Sequence, residues 1–219
     1  IFHFAEHNGT PHMFDNVKNI IVTHSHGDHF NAETVKRLCV DKDCTLWGDP
    51  VCLVRLRKAL GEETASRIAF VETSLRNVYQ IGGYEVTVLR ANHVTEYPEE
   101  TARMYLIKQG DRILWWTGDS AWVPTESWNI IREQAVNTAV LELTCGETAP
   151  DDWRSFEHNT LDMLKLMLKM FRKYDRFAPD VKYYVTHLAR TLHTDHETLE
   201  KTLAPLGVTP AYDGLVIEI

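Results

Sequence analysis

The sequence predicts an α/β fold, with β-sheets carrying helices on their outer faces. Three observations predict it. Hairpin signatures come first along the chain, and strand-like and helix-like runs alternate after them. The runs that lead to histidine or aspartate deliver them just past their C-terminal ends, where open α/β sheets place their sites. At 219 residues, 44% hydrophobic and 25% charged, the chain is sized for one domain, 1–219, with a substantial core.

The elements follow in order. The start, "IFHFAEHNG", is helix-like or loop-like. "NIIVT" (19–23) is a short β-branched run, followed by a His-rich loop and a helix around 32–38. "TLWG" reads as a strand and "PVCLVRLRKAL" as a helix opened by Pro50 and stopped by Gly61. "NVYQI" and "YEVTVLRA" flank Gly82-Gly83, and "RMYLIK" and "RILWWT" flank Gln109-Gly110-Asp111, so each pair is a hairpin. Residues 125–134 are helical in pattern, and "TAVLELT" (138–144) is a strand. Over 159–173, Leu161, Leu164, Leu168 and Phe171 recur at helical spacing. "KYYVT" (182–186) is a strand, and Thr194-Asp195-His196-Glu197 is a capping box for a helix reaching about Ala204. "VTPAY" and "LVIEI" are expected to close the chain as strands around Asp213-Gly214.

Composition narrows the function. A formal net charge of -8 argues against a polyanion as partner, and no basic cluster stands out, so no nucleic acid is expected. Cys39, Cys44, Cys52 and Cys145 form no Cys-x-x-Cys pair and read as reduced thiols of a cytoplasmic protein. No apolar run is long enough to span a bilayer and no signal peptide is recognisable, so no membrane association is expected.

"VTHSHGDHF" (22–30) packs three histidines and an aspartate into six positions. His24 and His26 are two apart, which separates them on a helix but lets them converge at a strand end or on a loop. Asp28 and His29 add an oxygen and a further imidazole, enough for a neighbouring ion, and this mixture suits zinc and similar divalent ions. The bland alternative is a solvated, His-rich turn. Against it, His93 follows "YEVTVLRAN", Asp119 follows "RILWWTG" and His187 follows "KYYVT". Four separate strands thus each deliver a ligand type past their ends.

"THSHGDH" resembles the His-x-His-x-Asp-His signature of the metallo-β-lactamase superfamily, and the later ligand types arrive in that family's order. The resemblance covers about residues 19 to 219. It implies an αβ/βα four-layer sandwich with a two-metal site at one edge. One ion would be held by His24, His26 and His93, the other by Asp28, His29 and His187, with Asp119 bridging. The implied cofactors are two divalent ions, zinc or manganese, with iron also suited. Members usually begin with strands that include a structural Asp before the first histidine motif; this chain is expected to lack those strands. Phe30-Asn31-Ala32 departs from relatives that carry a glycine soon after the motif, and no basic tRNA-binding arm is evident. Several β-lactamases have a cysteine where Asp119 stands, and oxygen-reducing flavodiiron relatives have a glutamate where His26 stands, so the set here is that of the hydrolases.

Two divalent ions about 3.5–4 Å apart can hold a hydroxide between them at neutral pH and take up charge in the transition state. A general acid is then still needed for a poor leaving group. The candidate is His158, in "SFEHNTLDM". It is similar in position to a histidine of the superfamily's phosphodiesterases, the phosphonate-pathway enzyme and ribonuclease Z among them. His158 and Asp28 are the catalytic candidates, and His158 and Arg190 the substrate-binding ones. The expectation is a phosphodiesterase acting on a small molecule through a metal-bridging hydroxide. A lactonase or thioesterase is the runner-up, because "THSHGDHFNAETVKRL" is also similar to sugar-phosphate lactonases. A non-catalytic metal-binding scaffold is a third reading, disfavoured by the complete ligand set.

The remaining histidines and aromatics have plainer readings. His3 and His7 share a helical face and are read as exposed rather than as a metal pair, and His12 beside Pro11 as surface. His193 and His196 are read as helix-start residues. Trp115 and Trp116 point to opposite faces of one strand. Trp122, Trp153 and Tyr97 are read as core or lid residues that would give the substrate an apolar portion if they lined the pocket.

Overall fold

The computed structural model describes residues 1–148 and 151–219. Their backbone gathers into two compact units, one of Ile1–Ser74 with Thr95–Thr101, the other of Leu75–Val94 with Ala102–Ile219.

The smaller unit is built on a parallel sheet in the order β1 (Asn19–Ile21), β2 (Cys44–Gly48), β3 (Ile68–Glu72). Parallel strands need crossovers, and helices supply them. α1 (Phe2–His7) precedes the sheet. α2 (Ala32–Leu38) joins β1 to β2, and α3 (Pro50–Leu60) with α4 (Glu62–Ala65) joins β2 to β3. Each longer helix starts on a side-chain cap: Asn31 accepts from the Thr34 amide, and Asp49 accepts from the Val51 amide ahead of Pro50. Gly61 ends α3 at φ 78°, a region open to glycine. Leu46, Cys52, Leu53, Leu56 and Leu60 fill the core between sheet and helices.

The larger unit is built on a seven-stranded sheet in the order β10-β9-β8-β7-β6-β5-β4. β4 (Val78–Ile81), β5 (Tyr84–Arg90), β6 (Arg103–Gln109) and β7 (Arg112–Trp116) form an antiparallel run. β8 (Thr138–Glu142), β9 (Lys182–Thr186) and β10 (Val208–Pro210) then add in parallel. α5 (Thr125–Ile131), α6 (Leu161–Tyr174) and α7 (His196–Leu203) lie in the β7–β8, β8–β9 and β9–β10 connections. α6 buries Leu161, Leu164, Met167, Leu168 and Phe171 and is capped by Thr160, which accepts from the Met163 amide. Phe171 meets Trp115 edge-on at 5.5 Å and stacks on Trp128 at 5.0 Å, at the centre of the core. Trp115 is fully buried and Trp116 is exposed, as strand alternation requires.

Sheets with helices in their connections bear out the expected α/β class. Two local expectations need correction. The cap of α7 is Asp195, not Thr194: its carboxylate accepts from the Thr198 amide at 3.0 Å. A carboxylate at the cap answers both the open amides and the positive end of the helix dipole. Residues 215–219 form no strand, for β10 pairs only with β9 and Val216 stands exposed. A β-prone sequence without a hydrogen-bonding partner does not make a strand. β3 and α4 carry weaker signals, and the sequence pattern did not disclose them. Among the described residues, no helix is long and apolar enough to cross a membrane.

Candidate metal centre

In the smaller unit β1 runs out at Ile21, and the Val22 amide still donates to Trp47 O at 2.9 Å. The chain then turns sharply, with the His29 and Phe30 amides both donating to His26 O. That turn gathers the histidines. The His24 and His26 rings meet edge-on with centroids 4.7 Å apart, and the His24 and His29 rings lie 4.3 Å apart. His29 Nε2 is 3.6 Å from Asp28 Oδ2. His24 is fully buried, while Asp28 is largely exposed. The Thr23 hydroxyl lies 3.1 Å from His24 Nδ1.

In the larger unit His93 follows β5, Asp119 follows β7 and His187 follows β9. Hydrogen bonds hold the first two of these loops to each other and to the segment before α6. The Asn92 amide donates to Ser120 Oγ, the Ala121 amide to Asn92 O, and Asn159 Nδ2 to Ser120 O. Gly118 at φ 56° turns the chain just ahead of Asp119. His187 itself sits at φ 60°, a conformation rare for a residue with a side chain and typical of functional sites.

The tautomers follow from the partners. His93 Nδ1 faces Glu157 O at 3.1 Å, and a carbonyl only accepts, so Nδ1 carries the proton. The Thr144 hydroxyl donates its one proton to Glu142 Oε1, so its oxygen accepts from His187 Nδ1 at 2.7 Å. Both rings are thereby left with a lone pair on Nε2. Those atoms lie 3.7 Å and 3.4 Å from one oxygen, Oδ2 of buried Asp119. Three electron-rich atoms facing one another repel unless a cation lies among them. With ligand bonds of about 2.0–2.1 Å, neighbouring ligands around a tetrahedral zinc stand roughly 3.3 Å apart, close to these spacings. The donor set fits a divalent ion.

His158 also belongs here. Its ring centroid is 4.8 Å from that of His93 and 5.4 Å from that of His187. Nδ1 lies 3.2 Å from Glu142 Oε1 and 3.1 Å from the Thr144 hydroxyl. Burial works to lower the His158 pKa, but the Glu142 hydrogen bond and charge outweigh it, and the pKa is raised above 6.5.

Glu142 and Thr144 are the functional residues that sequence reasoning passed over. Glu142 is fully buried on a strand buried at every position, and it also accepts the Thr144 amide at 2.7 Å and the Asn159 amide at 2.6 Å. A lone carboxylate in "TAVLELT", an otherwise apolar run, was the signal available.

The other candidates fall elsewhere. Arg190 is exposed. His193 is not a helix residue: its Nε2 donates to Leu143 O at 2.9 Å and pins the loop that follows His187. His196 opens α7 with its ring edge-on to Tyr212. His3 and His7 stand exposed on α1, and His12 pairs with Asp15 at the surface. Trp153 and Trp122 are exposed, and Tyr97 lies beneath the Arg55 guanidinium.

Sheets flanked by helices, with histidine and aspartate delivered from strand ends, define the class: the metal-dependent hydrolases of the metallo-β-lactamase fold. The chain belongs to the β-lactamase superfamily, whose domain model matches residues 3–188. Solved structures agree on the fold. A diphosphatase of the PhnP family is 19% identical with a TM-score of 0.70, over 98% of this chain and 75% of that one. Zinc-bound PqqB from Methylobacterium extorquens is 13% identical with a TM-score of 0.70, over 92% and 73%. The short form of human tRNase Z is 16% identical with a TM-score of 0.63, over 94% and 80%. No curated protein sequence matches the chain significantly.

Proposed function

We propose that the chain is a binuclear metal-dependent hydrolase whose favoured reaction is phosphodiester hydrolysis on a small molecule, its two units acting as halves of one domain. The family match over 3–188, which extends from the smaller unit well into the larger one, supports the single domain. In this reading His24, His26 and His93 hold one divalent ion, and Asp28, His29 and His187 the other, with Asp119 shared. Zinc or manganese suits the set, and iron is also compatible. When bound, such a pair supplies a nucleophilic oxygen at neutral pH and neutralises charge developing on the phosphoryl oxygens.

The observation that carries the choice of substrate is the setting of His158. Glu142 and Thr144 occupy its Nδ1, and Glu142 favours its protonated form. Nε2 is the nitrogen left to give a proton to a departing alkoxide. A phosphodiester with a poor leaving group needs that proton; lactones and thioesters do not. Arg190, three residues past His187, is the residue proposed to meet the substrate's negative charge. Structural neighbours named as a diphosphatase and as a tRNase support phosphoryl chemistry.

The test is hydrolysis of bis(p-nitrophenyl) phosphate by protein reconstituted with Mn²⁺ or Zn²⁺, with His26→Ala as control. Metal-dependent turnover, lost in His26→Ala, is expected. No turnover in protein shown to hold two ions would refute phosphodiester hydrolysis and point to lactones or thioesters.

A further inference from the structure

Ser25 stands between His24 and His26, and its hydroxyl donates to Glu100 Oε2 at 2.5 Å. Both residues are buried and both belong to the smaller unit. The other carboxylate oxygen, Glu100 Oε1, is buried without a hydrogen-bond partner among the described residues. A half-satisfied carboxylate in the interior opposes folding, and an apolar pair of similar shape would fill the same space at lower cost. Packing therefore does not account for Glu100.

The turn that presents Glu100 is itself fastened down. The Glu100 amide donates to Tyr97 O, and Thr95 Oγ1 donates to the same oxygen. The Arg55 guanidinium of α3 lies 3.5 Å over the Tyr97 ring and 4.0 Å from Glu96. At the far end the Thr101 amide donates to Asp49 Oδ2 at 3.4 Å, and Asp49 is the cap of α3. Glu100 thus projects from a hydrogen-bonded base toward a segment 75 residues earlier. The base also follows His93 by only two residues.

We propose that Glu100 is a positioning residue for the His24–His26 pair. By accepting the Ser25 hydroxyl it turns Ser25 away from the flanking imidazoles and holds the backbone between them, so that the two rings stand ready for one cation before it arrives. Ordering the ligands in advance removes an entropic cost from metal binding. The inference rests on the reading of His24 and His26 as metal ligands. It concerns geometry rather than charge, because the contact is to Ser25 and not to either ring.

The experiment measures the Zn²⁺ affinity of the full chain by competition with a chromogenic chelator, alongside thermal unfolding of the metal-free protein. The variants are Ser25→Ala, Glu100→Ala, Glu100→Gln, the Ser25→Ala/Glu100→Ala double and His26→Ala. Ser25→Ala and Glu100→Ala should each lose affinity by roughly 10- to 100-fold, the usual scale for groups that orient metal ligands. The double variant should lose no more than the weaker-binding single one, since both remove one hydrogen bond. Glu100→Gln keeps an acceptor for Ser25 and should keep most of the affinity. If Glu100→Ala fails to fold, Ser25→Ala and Glu100→Gln still decide. Lower unfolding temperatures with unchanged affinity in both Ser25→Ala and Glu100→Ala would overturn the positioning role, and so would Glu100→Gln binding as weakly as Glu100→Ala. Wild-type affinity in His26→Ala would overturn both the ligand reading and the inference built on it. Loss of zinc in His26→Ala with no change in the Ser25 and Glu100 variants would overturn the inference alone.

Discussion

Glu142 Oε1 lies 3.2 Å from His158 Nδ1, with Glu142 fully buried and the His158 side chain 12% exposed. A carboxylate beside the imidazole favours its charged form, and burial of the ring favours the neutral one. Here the carboxylate prevails. Glu142 is in turn held by the Thr144 and Asn159 amides, so the pair is anchored on β8 and on the segment leading into α6.

His158 in metal-free protein should titrate above 6.5, and lower than that wild-type value in Glu142→Gln, where burial is opposed only by the lesser charges of Asp119 and Glu157. NMR titration of the ring checks this. A raised folded pKa contributes stability that is fully present below about 6.5 and fades as pH rises through the folded value. Metal-free wild type should therefore lose more stability than Glu142→Gln as pH is raised through that window. Equal midpoints in the two proteins would dissolve the link between these residues.

Leaving-group dependence tests the acid. His158→Ala should lower kcat by about 10²- to 10⁴-fold on a diester with an alkoxide leaving group. With p-nitrophenolate, which departs unaided, the loss should be far smaller. A uniform loss across leaving groups would assign His158 to substrate binding instead.

The cap of α7 offers a stability test away from the site. Asp195→Ala should destabilise by about 1 kcal/mol, seen in urea unfolding, while Thr194→Ala should change little. The reverse order would restore Thr194 as the cap.

The thiols should be inert in the native state. All four cysteines are buried, and burial, reinforced by Cys44, pushes the Cys39 thiol up to about 12. Iodoacetamide at neutral pH should label none of them until the protein unfolds, as intact mass would report. Rapid labelling of Cys39 in folded protein would contradict its placement.

Much of this protein was legible in its residues because the signals are local. Pro50 and Gly61 around α3, and the paired glycines between β4 and β5, act within a few positions. The spacing in "THSHGDH", and the arrival of His93, Asp119 and His187 after β-prone runs, are likewise visible along the chain. What tertiary structure decided lies between distant segments. Residues 215–219 have the composition of a strand and no partner, and "IAFVE" pairs beside β2 because the α3–α4 crossover brings it there. Glu142 became a holder of His158, and Glu100 of Ser25, through contacts spanning 16 and 75 positions. Helix caps, turns and motif spacing depend on backbone geometry over one or two turns, which neighbouring residues dictate. The worth of a buried carboxylate depends on which donors the topology carries to it, and no local pattern encodes that.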